Sequence, residues 1–584
     1  MLYQSLVDVY VRLAGTSKRL EKTNVLSGFL SQVSEDDAER VILLLQGLVF
    51  PVWDERRLGV AEKLVLRAIS KATGKSAEAV EQVWKTSGDL GDAAAACVQA
   101  KTQAVLYSGE LSVGKVFANL QQVASFTGDG TVDNKVGLIA ELLTSATPVQ
   151  ARYVIRTALG DLRIGLGDGT MRDATVWSCF AARLGLTYDA SENDFQLTPE
   201  QRQQYDRVVD AVQFAYDRTT DFASVLSAAR KGEDSLRSMK IVVGKPLKVM
   251  LYQKASTIGE AFEVVDRPAS VEYKYDGFRL QIHKKREEVF LFTRRLENVT
   301  AQFPDVADRA RSCISAREAI VEAEIVGFDL ATGKYLPFQN ISVRIQRKYD
   351  IQETAAKYPV HIVLFDLIVV EGRDCTLLPY KDRIELLTHA VAQSREFHLA
   401  ERITTDDEQE ATQFYVKSLS VGNEGVMLKR LDSPYQPGSR VGFGVKVKAV
   451  MDAVDVVIVG AEWGEGKRSA WLSSFEIACR HGDQFLTIGR VGTGFKEKAE
   501  EGTTFADLTE ALKPHVRAQK GREVAVAPAV VIEVAYEEIQ ASPSYSAEFA
   551  LRFPRFIRLR PDRRPEDVTT LDDIRELYSH QRGK

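Results

Sequence analysis

A lysine amine is a nucleophile only after losing its proton, so it needs desolvation, a neighbouring cation or a bound metal to lower its pKa. Lys274 has a setting for that. The run Glu272-Tyr-Lys-Tyr-Asp-Gly-Phe-Arg-Leu-Gln-Ile-His283 puts it just after an apolar strand and three residues before Gly277. Asp276 and Gly277 would supply a tight turn that aims it. Taken alone, Lys-x-Asp-Gly arises by chance in about one protein of this length in ten, and its plainer reading is a hairpin turn with an exposed lysine. Other side chains follow in order. Arg279 and Arg294 can donate forked hydrogen bonds to ribose or phosphate oxygens, a geometry lysine does not match. Glu322 and Glu324, in Ile320-Val-Glu-Ala-Glu-Ile-Val, fall on one strand face. Phe365, in Val363-Leu-Phe-Asp-Leu, could stack on a purine, although core packing is the commoner use of such a ring. Glu424 precedes Gly425 and the strand Val426-Met-Leu-Lys429, a good place for a carboxylate that holds a divalent cation. Arg440, Lys446 and Lys448 then add cations for phosphate.

Such a constellation must be held by a scaffold, and 584 residues suggest three or four domains of roughly 100 to 200 residues. With 45% hydrophobic and 27% charged residues the composition is that of an ordinary globular protein, not a disordered one. No basic leader precedes an apolar core and no apolar run nears the roughly 18 residues of a spanning segment, which predicts a cytoplasmic protein with no membrane partner. Up to about residue 235, apolar residues recur at helical spacing, as in Leu2, Leu6, Val9 and Leu13. Ser34-Glu-Asp-Asp37 and Thr198-Pro-Glu-Gln mark helix starts. The first third is therefore expected to be all-helical. Gly244 and Pro246 punctuate a linker between Met239 and Leu251. Short alternating runs follow to about residue 450, including Val289-Phe-Leu-Phe, Ile320-Val and His361-Ile-Val-Leu-Phe, and predict a mixed domain built on β-sheet. Val454-Asp-Val-Val-Ile-Val, Phe485-Leu-Thr-Ile and Val530-Val-Ile-Glu-Val predict a small β-barrel at the end.

Charge narrows the partners. A net charge of -5 argues against a protein that coats nucleic acid nonspecifically, so any grip on phosphates must be local. Arginines 552, 555, 558, 560, 563 and 564 stand against the single acid Asp562; they could grip phosphates, though a solvated charged face is the plainer reading. Five cysteines are scattered, without zinc or disulfide spacing, and read as buried small hydrophobes. In Tyr153 to Thr170, glycines 165, 167 and 169 mimic a dinucleotide loop, but no strand precedes them. The better reading has Arg156, Arg163 and backbone amides meeting DNA phosphates across the minor groove; a plain helix-helix turn is the alternative. Gln121, Gln122 and Phe126 faintly resemble a sliding-clamp tether, which makes a clamp a candidate partner.

Taken in order, these segments resemble the covalent nucleotidyltransferase superfamily and, within it, the ATP-dependent DNA ligases of archaeal and related bacterial type. Glu272-Tyr-Lys-Tyr-Asp-Gly resembles the adenylation motif, Thr293-Arg-Arg-Leu-Glu-Asn the arginine motif, and Glu322-Ala-Glu-Ile-Val the acidic strand. Leu364-Phe-Asp-Leu resembles the aromatic motif, Glu424-Gly-Val-Met-Leu-Lys the metal motif, Lys446-Val-Lys448 the paired lysines, and Arg552 through Asp567 the last motif. The resemblance implies a multidomain fold: an all-α DNA-binding domain (1–238), an α+β adenylation domain (239–450) and an all-β OB-fold barrel (451–584), closing round a nick. It implies an enzyme that seals nicked duplex DNA in replication, repair and recombination through lysyl-AMP and then DNA-adenylate. Lys274 becomes the adenylated nucleophile, Glu272 reads the adenine amino group, Arg279 and Glu324 hold the ribose, and Phe365 stacks on adenine. Arg294, Arg440, Lys446 and Lys448 meet phosphates, while Asp562 and Arg563 orient the leaving pyrophosphate. ATP is the implied adenylate donor and Mg2+ the implied metal, with Mn2+ as a substitute, near Glu324 and Glu424. A nucleoid-associated monomer is expected. Three departures stand out: Glu322-Ala323 replaces the usual Asp-Gly, Arg563 stands where lysine is common, and no tryptophan follows Arg440. Related capping guanylyltransferases and RNA ligases share the lysine motif, but the helical first third counts against both. Missing zinc cysteines disfavour an NAD-dependent ligase, and the intact Lys274, Glu324 and Lys446 disfavour a noncatalytic scaffold.

Overall fold

The structure is a computed structural model that describes residues 1–579 apart from 102–108, 127–130, 331–332, 337, 346–348, 449–452, 465–467, 469 and 497–501. The boundary expected between residues 450 and 451 lies outside the described residues. Among the described residues from Tyr3 to Arg237 the elements are helices apart from one short ribbon in which Tyr188–Asp189 pairs with Asp194–Phe195. Their starts follow local chemistry. Ser34 accepts the Asp37 N–H ahead of helix Glu35–Leu45, and Thr198 and Gln201 form a reciprocal capping box ahead of helix Pro199–Thr219, with Pro199 in its first turn. In helix Tyr3–Ala14 the residues Leu6, Val9 and Leu13 are buried as the spacing requires, while Leu2 lies outside the helix and is exposed. One continuous apolar core runs from Tyr3 to Leu236.

The middle of the chain builds two sheets. In the first, strands run in the order Arg373–Asp374, Val360–Val370, Glu318–Phe328, Phe278–Lys285 and Glu288–Thr293. The second runs Arg402–Thr405, Ala269–Lys274, Gly425–Arg430, Arg440–Lys448 and Leu251–Ala255. Helices Pro304–Cys313 and Tyr380–Ala390 share a core with the first sheet, and Ile258–Val265 and Glu408–Ser420 share one with the second. Lys274 ends a strand of the second sheet and Phe278 begins a strand of the first. The Tyr275-Asp276-Gly277 turn is therefore a step between sheets, not a hairpin. Gly277 is required there, because an added Cβ would run into the Ile325 carbonyl. The expected linker after Met239 carries no helix or strand to Met250, yet it is packed: Val243, Leu247 and Met250 share a core with Ile320, Ile368 and Tyr435.

The last part is a curled sheet with its own core from Val454 to Ile574. Its long strand Ala453–Trp463 pairs with Val531–Ala535 along its first half and Glu523–Val526 along its second, with Leu472–His481 on the other side. Register shifts at Ile458/Gly460 and Glu462/Trp463 bend that strand, as bulges do where sheets close toward barrels.

Candidate active site

Between the two central sheets lies a cavity of about 610 Å³. Lys274 enters it from the end of its strand, and its ammonium lies 2.5 Å from Glu424 Oε2. The register explains this pairing: Gly425 is opposite Lys274 in the ladder, and the Glu424 N–H donates to the Lys274 carbonyl at 2.8 Å. Glu424 also holds Lys448 at 2.7 Å. Against the upward push of burial, Lys274 and Lys448 bring the Glu424 carboxyl down to about 2. Two neighbouring acids respond oppositely. Burial, with Glu424 and Asp276 adding to it against Lys274 and Arg279, pushes Glu324 up to about 7. Burial, Glu424 and Glu538 push Asp276 up to about 7 as well.

One end of the cavity is cationic. Lys274, Arg294, Lys446 and Lys448 line it, with Arg440 lining the cavity further along its strand, past Lys429, and burial together with Lys274, Lys254, Lys448 and Arg294 lowers Lys446 to about 8. Crowded like charges of this kind are what a polyphosphate relieves. The other end is aromatic and holds one buried ion pair: Lys429 and Glu272 meet at 2.7 Å with 3% and 2% of their side chains exposed. The Lys429 ammonium lies 5.2 Å from the Phe365 ring centroid and 4.7 Å from that of Tyr380. Arg279 also stands over Phe365, at 5.2 Å, and forms a two-pronged ion pair with Glu322. A purine fits the aromatic end and its phosphates the cationic end.

The structure thus brings Glu272, Lys274, Arg279, Arg294, Glu324, Phe365, Glu424, Arg440, Lys446 and Lys448 to one cavity. Asp562 and Arg563 are not among its lining: just past strand Arg555–Leu559, Asp562 is held by Arg560 at 2.8 Å and Arg563 lies 3.7 Å from Asp455. Arg156, 13% exposed, is engaged by Asp89 at 3.2 Å and Asp92 at 3.5 Å. Arg163 is half-exposed, pairs with Asp89 and Asp161, and stands in a left-handed backbone conformation. The neighbouring loop is pinned by the Lys22 amine, which donates to the carbonyls of Ile164 and Gly165. Gln121 donates to the Val49 carbonyl at 2.9 Å. Lys429, Glu537 and Phe553, given no role from the sequence, line the cavity too, and so does Arg552, the first of the arginines read there as a possible grip on phosphates. For Lys429 the signal was present, since it alternates with Met427 on the strand face behind Glu424. Glu537, Arg552 and Phe553 lie in or beside a separate two-stranded ribbon, Glu538–Ala541 with Phe549–Arg552, in the last part of the chain, and spacing in the central region does not reach them.

The described residues contain no helix long and apolar enough to cross a membrane. Family models match the chain in three blocks: "DNA ligase N terminus" over residues 2–176, "ATP dependent DNA ligase domain" over 249–448 and "ATP dependent DNA ligase C terminal region" over 468–563. A curated DNA ligase of Nanoarchaeum equitans is 44% identical, covering 100% of this chain and 99% of its own. The DNA ligase of Thermococcus fumicolans is 38% identical over the same shares of the two chains. The solved structure "Pmar-Lig_PreS3" superposes over 95% of this chain and 99% of its own with a TM-score of 0.53 at 15% identity, a likeness of fold. The helical first third, the two-sheet cavity and the curled last sheet coincide with those three blocks in order, and the chain belongs to the ATP-dependent DNA ligase family, which uses ATP to seal nicks in DNA.

Proposed function

We propose that Lys274 carries the adenylate. Its neutral Nζ attacks the ATP α-phosphorus, a P–N bond forms, and pyrophosphate leaves with the α–β bridging oxygen. AMP then passes to the 5′-phosphate of the nick, and the 3′-hydroxyl displaces it to form the phosphodiester. Each transfer needs in-line geometry and neutralised oxygens. The observation that carries this reading is the position of Lys274 among the crowded cations of a cavity that also holds Phe365. Arg294, Arg440, Lys446 and Lys448 take phosphate oxygens, Phe365 stacks on the base, Arg279 and Glu324 hold the ribose, and Glu272 with Lys429 meets the base edge. Lys448 also competes with Lys274 for Glu424, which eases release of the nucleophile from its ion pair.

Mg2+, or Mn2+ in its place, fits the donor set. Among the described residues no three His, Cys, Asp or Glu side chains converge as a metal cage, and Glu324 and Glu424 supply only oxygen. Magnesium is commonly bound by one or two carboxylates together with substrate phosphates. When bound it would neutralise phosphoryl oxygens beside Lys274. Nicked duplex DNA is the substrate; Arg163 is the exposed phosphate contact, while Arg156, held by two acids, braces its loop. The domain boundaries are 1–238, 239–450 and 451–584, and the chain acts as a monomer, its own residues supplying every group named at the cavity. Nothing in the fold of Gln121 favours a clamp tether, since its amide is spent on Val49.

The test is direct. With Mg2+ and α-labelled ATP, GTP or NAD, label should pass from ATP to the protein, and from there to nicked DNA but not to nicked RNA. Lys274→Ala should abolish the first transfer, and a labelled Lys274→Ala protein would sink the assignment.

A further inference from the structure

Strands Gly425–Arg430 and Arg440–Lys448 are antiparallel neighbours, a pair that a two-residue turn can join. Residues 431–439 instead leave their own sheet and reach the other one. The contact is made by Tyr435, whose side chain is 2% exposed. Its phenol donates to Glu322 Oε1 at 3.0 Å and accepts from the Met250 N–H at 3.1 Å and from Arg279 Nη2 at 3.3 Å. One donor and two acceptor sites are all that a phenol offers, so the hydroxyl is fully used. Glu322 and Arg279 belong to the first sheet, and Met250 leads into the strand that edges the second. One hydroxyl therefore ties the two walls of the cavity together.

Arg279 is the group this tie holds. Its Nε donates to Glu322 Oε1 at 3.1 Å, its Nη1 donates to the Met250 carbonyl at 2.8 Å, and its other arm meets Glu322 and Tyr435. Burial opposes its charge, but Glu322 first and Tyr435 after it hold the guanidinium's pKa above the ordinary arginine value. The same strap is fixed at both flanks. The Tyr435 N–H donates to the Thr376 carbonyl at 2.7 Å, and Leu251 N–H donates to Ser439 at 2.9 Å, one residue before Arg440 of the cavity. Thr376 is itself gripped by Arg218 of helix Pro199–Thr219, so the strap connects with the helical region.

We propose that Tyr435 is a positioning residue for nucleotide capture: its hydroxyl fixes Arg279 over Phe365 and sets the separation of the cavity walls. The proposal rests on reading the cavity as the ATP site. Because Arg279 there touches the nucleoside and not the reacting phosphorus, losing the hydroxyl should weaken ground state and transition state alike. Tyr435→Phe keeps the ring. In self-adenylation with α-labelled ATP it should raise KM by about tenfold while the maximal rate stays within about twofold. In an Arg279→Ala background the same change should add nothing, whereas a purely structural role would add its cost in both backgrounds. Glu322→Gln, which preserves shape, should raise KM in the same direction and serves as the second arm if Tyr435→Phe lowers the thermal midpoint. An unchanged KM in these variants, or full additivity with Arg279→Ala, would overturn the proposal. If the wild-type chain took up no label at any ATP concentration, the ATP-site reading itself would fall instead.

Discussion

Lys446 shows how the cavity tunes a phosphate ligand with its neighbours. Burial and the charges of Lys274, Lys254, Lys448 and Arg294 lower its pKa to about 8, so it carries a full charge below that pH and loses it above. Capture of ATP should weaken as the pH passes 8, and the KM of self-adenylation measured from pH 7 to 9.5 should climb accordingly. Lys446→Arg stays charged throughout that range and should flatten the climb; a KM profile identical to wild type would remove Lys446 from the phosphate site. Loss of charge at Lys446 acts on capture, so it reads in KM and not in the maximal rate. Residue types in order made most of this cavity legible in the sequence, because cations, acids and an aromatic ring each serve a triphosphate in a distinct way. Spacing alone did not show that Glu272 is tied to Lys429 or Arg279 to Glu322. Those pairs lie across strands, and register is set by the fold.

At the scale of elements, strand Phe278–Lys285 carries Arg279 on its cavity side and binds the segment that enters the central region. Gln281 exchanges hydrogen bonds with Leu247, and His283 Nδ1 accepts the Gly244 N–H at 3.1 Å. Gly244 has a φ of 93°, open to glycine at little cost. The accepting nitrogen must be unprotonated, and burial lowers the pKa of His283 to about 3. As pH falls the unfolded chain takes up the proton first, at its ordinary pKa near 6.5. The contribution of His283 is therefore complete above about pH 6.5 and is lost as pH falls toward 3, at about 1.4 kcal/mol per pH unit. Between pH 6.5 and 5 the denaturant stability of the wild-type central region should fall about 2 kcal/mol further than that of His283→Gln. Parallel pH profiles would show that His283 does not report this docking. The segment's Gly and Pro correctly marked a break in secondary structure. They said nothing of its packing, because Gln281 and His283 look like ordinary residues of an alternating strand until the segment lies against them. The Lys274 turn was similarly ambiguous: a hairpin and a step between sheets use the same Asp-Gly chemistry, and only the pairing of the two flanking strands with different sheets tells them apart.

The whole molecule raises the question of which face the last part of the chain offers to the cavity. Here Glu537 bridges Lys254 and Lys448 at 3.3 Å each, and Arg552 and Phe553 join the lining. Asp562 and Arg563 lie elsewhere in the last part of the chain, just past strand Arg555–Leu559, against Arg560 and Asp455. A carboxylate on Lys448 of the cavity, and on Lys254 near it, occupies charge that a nucleotide's phosphates would take, so this arrangement suits a stage at which the pyrophosphate has already left. For Arg563 to act on the leaving group, the last part of the chain must turn and bring it to the cavity, and the small, ion-paired contact through Glu537 is of a kind that can break and re-form. The two stages then draw on different residues. Arg563→Ala should slow self-adenylation by roughly tenfold, about the cost of one charge-assisted contact. Sealing of a nick that already carries AMP should change little. The comparison needs one preparation assayed twice, once for label uptake from α-labelled ATP and once on a pre-adenylated nick. Equal losses in both assays would mean that Arg563 supports the sheet itself, and that the turn is not needed to explain its place in the chain.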